Sequence, residues 1–388
     1  MKKVLLIFIS LFSFIPTATG QQQLKLTQNA QISVLTIAPG DELADSFGHS
    51  AFRVRDPFLS IDHVYNYGVY DFNTPNFYVK FAQGKLLYDL GISRFDRFLS
   101  SYKAQNRTIV EQILGLTMTE KQAFFDFLQH NARPENKSYL YDFFFDNCAT
   151  KLRDVSDKIL TKNIQLGYNF EASGLTFRNL IHKYLDEQPW GKFGIDLALG
   201  SVIDRIATPQ EYLFLPDYVF QSFKKGSISE KPLVKIERTL FESSPVKKTS
   251  SFLKPFVIFS MIALIVLFVT FRDLKKQRRS KWLDVLLFVF TGIVGLLVLL
   301  LWFATDHSAT QKNYNILWAF LPNLPLAFLF LKTQLRPWLK NYLILVLVLL
   351  LITTLLWILK IQIFSITVIP ILILLGVRYF YLVKYMKG

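Results

Sequence analysis

From Pro255 onward the chain is built of apolar stretches long enough to cross a hydrocarbon core, and this limits its possible folds more than any other feature. Five spans are read at about 255–271, 283–303, 316–331, 342–359 and 361–380. The first connection carries Arg272, Lys275, Lys276, Arg278, Arg279 and Lys281, whereas the second, 304–315, carries only Lys312. Lys332, Arg336 and Lys340 follow, then Lys360 alone, then Lys384 and Lys387. Cationic loops stay on the cytoplasmic side. The alternation therefore predicts 272–282, 332–341 and the C-terminus in the cytoplasm, with residues 21–250 outside. Leu321-Pro322-Asn323-Leu324-Pro325 predicts a break in the third span, with Asn323 facing other helices or a cavity. Asp284 is read as snorkelling from the cytoplasmic end. Asp306 and His307 fall on an outer loop, solvated or touching lipid headgroups.

The start of the chain predicts the same topology. Lys2 and Lys3, an apolar run from Val4 to Ile15, and the small residues Ala18-Thr19-Gly20 read as a signal peptide over 1–20. Retention of this segment as a sixth helix stays open. No cysteine lies near the expected cleavage point, so the chain is not read as a lipoprotein itself. The expected location is a bacterial inner membrane, crossed several times, with an exported domain. The net charge of +15 suggests nucleic acid at first sight. However, residues 252–388 hold 15 Lys/Arg against Asp273, Asp284 and Asp306 alone. The basicity thus records membrane orientation, the exported part is nearly neutral, and no nucleic-acid partner is expected.

Residues 21–221 suit one exported domain, 222–254 read as a linker, and 255–388 form the membrane domain. Strands are predicted at 31–38, 50–55, 64–69 and 107–114. Thr119 with Gln122 reads as a capping box opening a helix to about His130. Asn147 reads as the N-cap of a helix with Cys148, Leu152, Val155 and Ile159 on one face. The fold class is α+β. No repeat, P-loop, dinucleotide fingerprint or metal-spaced cluster is present, so neither cofactor nor metal is expected.

Cys148 is the only cysteine in 388 residues. An exported thiol without a partner is either an inert buried side chain or a nucleophile. As the first residue after a helix cap it would meet partial positive charge, which favours the thiolate, and nearby amides would suit an oxyanion. A cysteine nucleophile needs a base, and His49, after Gly48 and at the start of a strand, is the candidate. His63 begins another strand, and either it or Asn66 would orient His49. His130 and His182 fall in amphipathic helical stretches and read as ordinary residues.

Several segments together resemble one family. They are Pro39-Gly40-Asp41-Glu42-Leu43 with Phe47-Gly48-His49, then Val64-Tyr65-Asn66-Tyr67-Gly68 with Asp71-Phe72, then Phe77-Tyr78-Val79-Lys80-Phe81-Ala82-Gln83-Gly84-Lys85, and Asp146-Asn147-Cys148-Ala149-Thr150. In this order they resemble the Lnb-type lipoprotein N-acyltransferases of Bacteroidetes, over roughly residues 30–220, with a similar membrane half. The order of His before an Asn-Cys pair also resembles the circularly permuted papain-like fold of NlpC-type hydrolases and lecithin:retinol acyltransferase. The resemblance implies a permuted papain-like exported domain followed by five transmembrane helices. It implies Cys148 as nucleophile and His49 as general base and acid, and it does not assign the third member, for which Asn66 or His63 stands as candidate from the strand reading alone. It further implies a phospholipid acyl donor and a diacylated apolipoprotein acceptor, joined through a Cys148 thioester. Asn147, Phe145 and Tyr65 stand as candidate substrate contacts. Phe143-Phe144-Phe145 and Phe77-Tyr78 would line an acyl groove or fill a core. A membrane-anchored papain-like hydrolase, acting on peptidoglycan or lipid, and a non-enzymatic receptor remain as alternatives.

Overall fold

A computed structural model describes residues 24–171, 173–245 and 253–386, so the expected signal peptide lies outside the described residues. Strands β1 (Gln31–Ile37), β2 (His49–Asp56), β3 (Ile61–Val69), β4 (Leu87–Arg94), β5 (Ile109–Leu114), β6 (Ser138–Leu140) and β7 (Val234–Phe241) form one sheet. Its order is β7-β5-β1-β2-β3-β4-β6, with every neighbouring pair antiparallel. Helices α1 (Phe77–Ala82), α2 (Phe95–Ala104), α3 (Met118–Asn131), α4 (Cys148–Leu160), α5 (Phe177–His182), α6 (Pro189–Ala198) and α7 (Pro216–Lys224) complete this α+β domain.

Period-two alternation sorts the strand residues between two cores. Ile32, Val34, Phe52, Val54, Tyr65 and Tyr67 meet α3, α4 and α7 through Phe124, Leu128, Leu152 and Val219. Leu35, Ile37, Ala51 and Val64 face the other way, onto Phe98 of α2. Fully burying side chains of this size contributes roughly 1.5–3 kcal/mol each, so the register of β1–β3 is strongly specified.

Two expectations for the exported part are corrected. The capping box of α3 is formed by Thr117 and Glu120, not by Thr119 and Gln122: Thr117 Nα–H donates to Glu120 Oε2 at 2.8 Å, and Glu120 N–H donates to Thr117 Oγ1 at 3.3 Å. The 222–254 linker is folded over much of its length, because β7 pairs with β5 as an edge strand and α7 extends to Lys224. The edge strand was concealed by its charge: Lys235, Glu237 and Arg238 keep it soluble, and Arg238 pairs with buried Glu111 at 2.6 Å.

In the C-terminal half, four helices among the described residues are long and apolar enough to span a membrane: α8 (Pro255–Lys275), α9 (Lys281–Phe303), α10 (Trp338–Ile358) and α11 (Val368–Tyr385). The third expected span is an interrupted segment, with short helices at Asn315–Trp318 and Asn323–Leu326. The break falls where the two prolines predicted it. Asn323 is buried there, donating to Thr291 Oγ1 at 2.8 Å and accepting from the Tyr342 hydroxyl at 2.5 Å. Gly292 and Gly295 let the broken segment approach α9 closely, since a Cβ on Gly295 would lie 2.0 Å from the Ala319 carbonyl oxygen. Asp284 does not snorkel. It is fully buried and pairs with Arg378 at 2.7 Å and Arg279 at 2.9 Å, while Arg378 also meets Asp273 at 2.9 Å.

The halves dock through polar contacts. Asn313 Nδ2 donates to the carbonyls of Leu197 and Ala198 at 2.8 and 3.0 Å, and the Gly200 N–H donates to Ala309 O at 2.9 Å. Ser308 Oγ donates to Asp142 Oδ2 at 2.7 Å. Asp142 in turn accepts from the Phe144 N–H at 2.9 Å, on the loop that leads to Cys148.

Candidate active site

Asn147 caps α4. Its Oδ1 accepts from the Ala149 and Thr150 N–H groups at 2.9 Å each, and its own N–H donates to Thr150 Oγ1 at 2.8 Å. Its Nδ2 donates to the carbonyls of Phe143 and Phe214 at 2.8 and 2.7 Å. The side chain is thus fully engaged inside the protein and does not serve as a substrate contact. It fixes Cys148 at the first helical position, only 7 % exposed. The cap leaves the Cys148 N–H unclaimed.

His49 opens β2, and its Nε2 lies 2.5 Å from Asn66 Oδ1. That oxygen only accepts, so Nε2 carries the hydrogen and Nδ1 remains for proton exchange with sulfur. The ring of Tyr102 stacks on the imidazole at 6.3 Å between centroids. The thiol and His49 are hydrogen-bonded, and the Ser50 and Ala149 N–H groups point at the sulfur. Cys148, His49 and Asn66 therefore meet. His63 does not join them, because alternation along β3 puts it with Tyr65 and Tyr67 on the opposite face from Asn66. Tyr65 is also corrected as a substrate contact: it is wholly buried in the sheet's core, with its hydroxyl accepting from Gln129 Nε2 at 2.7 Å. Phe145 is half-exposed and packs beside Phe144 and Phe177. His130 lies with Asn136 and His182 with Asp196, both away from the thiol.

Burial opposes charge on both partners, depressing the imidazole and raising the thiol. Their mutual attraction outweighs it. With help from Asn66 on one side and two backbone N–H groups on the other, the His49 pKa ends above its ordinary value and that of Cys148 below. Arg107 nearby works against the imidazolium.

Sequence reasoning passed over the residues that frame the thiol. Gly68, at φ +92°, adopts a backbone conformation that a side chain would strain, and a Cβ there would sit 3.8 Å from Cys148 Cβ, 3.7 Å from Tyr141 and 3.9 Å from the Tyr139 hydroxyl. The Tyr139 hydroxyl is buried without a hydrogen-bond partner among the described residues. Burial also raises its pKa and that of Tyr141, so both phenols stay protonated. Their i, i+2 spacing just ahead of the cysteine was the available signal.

Beside the site lies a cavity of about 300 Å³ between the two halves. Phe47, Tyr141, Phe143 and Phe144 wall it on the thiol's side; Leu199 of the exported domain and Leu301 and Ala309 of the membrane half close it opposite. Among the described residues no His/Cys/Asp/Glu cluster suits a metal ion.

Comparison with known families gives two matches in chain order: the Lnb N-terminal periplasmic domain over residues 19–183 and the Lnb transmembrane domain over residues 247–387. No curated protein and no solved structure matches the chain. With both domains of one family in sequence, a sheet-rich periplasmic half and an apolar helical half, the chain belongs to the Lnb family, as a membrane-anchored lipoprotein-modifying protein.

Proposed function

We propose that the protein is a thiol-dependent N-acyltransferase that moves a fatty acyl chain from a membrane phospholipid to the α-amine of a diacylglyceryl-modified N-terminal cysteine. The observation that carries this reading is the Cys148–His49–Asn66 set placed beside an apolar cavity shared with the membrane half. The thiolate attacks the ester carbonyl carbon of the phospholipid. A C–S bond forms as the ester C–O bond breaks, and the departing alkoxide of the lysolipid takes the proton from His49. The acceptor amine then attacks the thioester: a C–N bond forms, the C–S bond breaks, and His49 takes up the amine proton. The Cys148 N–H and the Tyr139 hydroxyl are the donors available to the oxyanion in both steps. The apolar walls favour lipid and keep water from the thioester.

The alternation of cationic loops supports an inner-membrane location with the C-terminus in the cytoplasm. Having the base on a strand ahead of a nucleophile at a helix start supports the permuted papain-like reading. A direct test uses purified full-length protein, a phospholipid with an isotope-labelled acyl chain, and a diacylated lipopeptide. Without acceptor, intact-protein mass should rise by one acyl chain on Cys148; with acceptor, the label should pass to the lipopeptide amine. N-acylated lipoproteins persisting unchanged in cells that carry only Cys148→Ala would refute the proposal.

A further inference from the structure

Residues 70–87 carry an apolar surface that the catalytic reading does not use. Tyr78 is 77 % exposed, Phe72 64 %, Val79 57 % and Phe81 53 %, and Tyr70 and Leu87 are exposed beside them. The rings form one contiguous cluster, with Tyr70, Phe72 and Phe77 in mutual contact and Tyr78 edge-on to Phe77. Soluble surfaces rarely leave so many large side chains together in water.

What covers this surface follows from where it is fastened. The Asp306 N–H donates to Gln83 O at 2.8 Å, His307 Nε2 lies 3.2 Å from Phe81 O, and Lys85 reaches Asp306 at 4.0 Å. Asp306 is only three residues beyond Phe303, the end of the membrane helix α9, and Phe303 is itself 68 % exposed. Three residues of chain reach at most about 10 Å, so the patch sits at the depth of the headgroups and upper acyl chains. Lys80 and Lys85 stand within the same segment, as cations do where an interfacial helix meets phosphate. The Asp306–His307 loop, read from the sequence as solvated or touching lipid headgroups, keeps Asp306 exposed and also fastens the patch in place.

We infer that α1 and its flanks form an aromatic lip that enters the outer leaflet of the same membrane the C-terminal half spans. The lip also borders the site. Gly84 lines the cavity, and three rings run in series from the exposed edge to the wall beside Cys148: Tyr70 meets Tyr88 edge-on at 5.4 Å, and Tyr88 stacks on Tyr141 at 4.4 Å. A lipid tail displaced by the lip would meet the cavity rim without leaving the apolar phase.

Membrane entry does not depend on acyl transfer, and its test reads depth alone. Cys148→Ala gives a cysteine-free chain, into which Val79→Cys, Phe81→Cys or Phe58→Cys is placed and labelled with an environment-sensitive fluorophore. Phe58, at 73 % more exposed than Val79 or Phe81, lies just past the far end of β2, whose eight residues span about 25 Å from His49. In vesicles holding phospholipid brominated along the acyl chain, labels at 79 and 81 should shift to the blue and be quenched severalfold more than the label at 58. Labels at 79 and 81 behaving like that at 58 would overturn the lip. So would shielding at 79 and 81 that occurs equally in detergent and does not respond to bromine, which would indicate a second copy or another protein on the surface.

Discussion

Burial disfavours the charged forms of both Cys148 and His49, and their mutual attraction favours them, so the imidazole pKa is raised and the thiol pKa lowered. Because the thiol's pKa is lowered, alkylation of the wild-type protein by iodoacetamide should already be fast below the ordinary thiol range and change little as pH rises through it. His49→Ala leaves burial opposed only by the Ser50 and Ala149 N–H groups, so the alkylation profile should move to higher pH and acyl transfer should fall by about 10²–10⁴-fold. At high pH the pair loses the His49 proton, and transfer should decline as the acid that protonates the leaving group disappears. Tyr139→Phe removes a hydroxyl but no packing; transfer should fall by about 10²-fold with the alkylation profile unmoved, whereas unchanged kcat would remove Tyr139 from the oxyanion site. The types of residue in the site were legible in the sequence: a lone cysteine after Asn147, and a histidine after a glycine. The choice between Asn66 and His63 was not, because alternation separates the faces of β3 without telling which face His49 turns to. The histidine leaves the strand end, and that depends on the β2–β3 pairing.

The helix that presents Cys148 depends on one side chain. Asn147→Ala removes the cap from Ala149 and Thr150 and strands the carbonyls of Phe143 and Phe214, so stability should fall by about 1–2 kcal/mol, seen as a lower Tm, with thiol reactivity reduced. Asn147→Asp keeps the acceptors but adds negative charge next to the sulfur. Its alkylation profile should shift to higher pH, opposite to what a gain in capping strength would give. The strands β1, β2, β3 and β5 and the start of α4 were readable because one clean period governs each. β7 is hard to read because Arg238 interrupts its alternation of Val234, Ile236 and Leu240 and charged residues dominate an edge facing water, and the α3 cap is ambiguous because Thr117 and Thr119 are both followed at the third position by a residue that suits a box. From the sequence, Phe77-Tyr78 reads as lining a groove or filling a core. The segment's exposure became visible only once the fold tied it to the end of α9.

At the scale of the whole molecule, the membrane half does more than anchor, because it supplies one wall of the cavity and holds Asp142, through Ser308, on the loop before Cys148. The separation of the halves should then control access of lipid to the thiol without altering the thiol itself. Gly200 is the place to test this. It lies against the 308–312 loop so closely that a Cβ would come within 1.9 Å of the Gln311 carbonyl oxygen. Gly200→Leu should wedge the two halves apart at that point, while the sheet, α4 and the Cys148–His49 pair keep their own packing. Iodoacetamide, which needs no cavity, should alkylate Cys148 at the wild-type rate and with the wild-type pH profile. Transfer from phospholipid in vesicles should drop at least tenfold, since a displaced near-attack geometry alone costs rates of that order. If both activities fall together, the wedge has disturbed the exported domain itself. If neither falls, the junction is compliant and the cavity is not the lipid's route to Cys148.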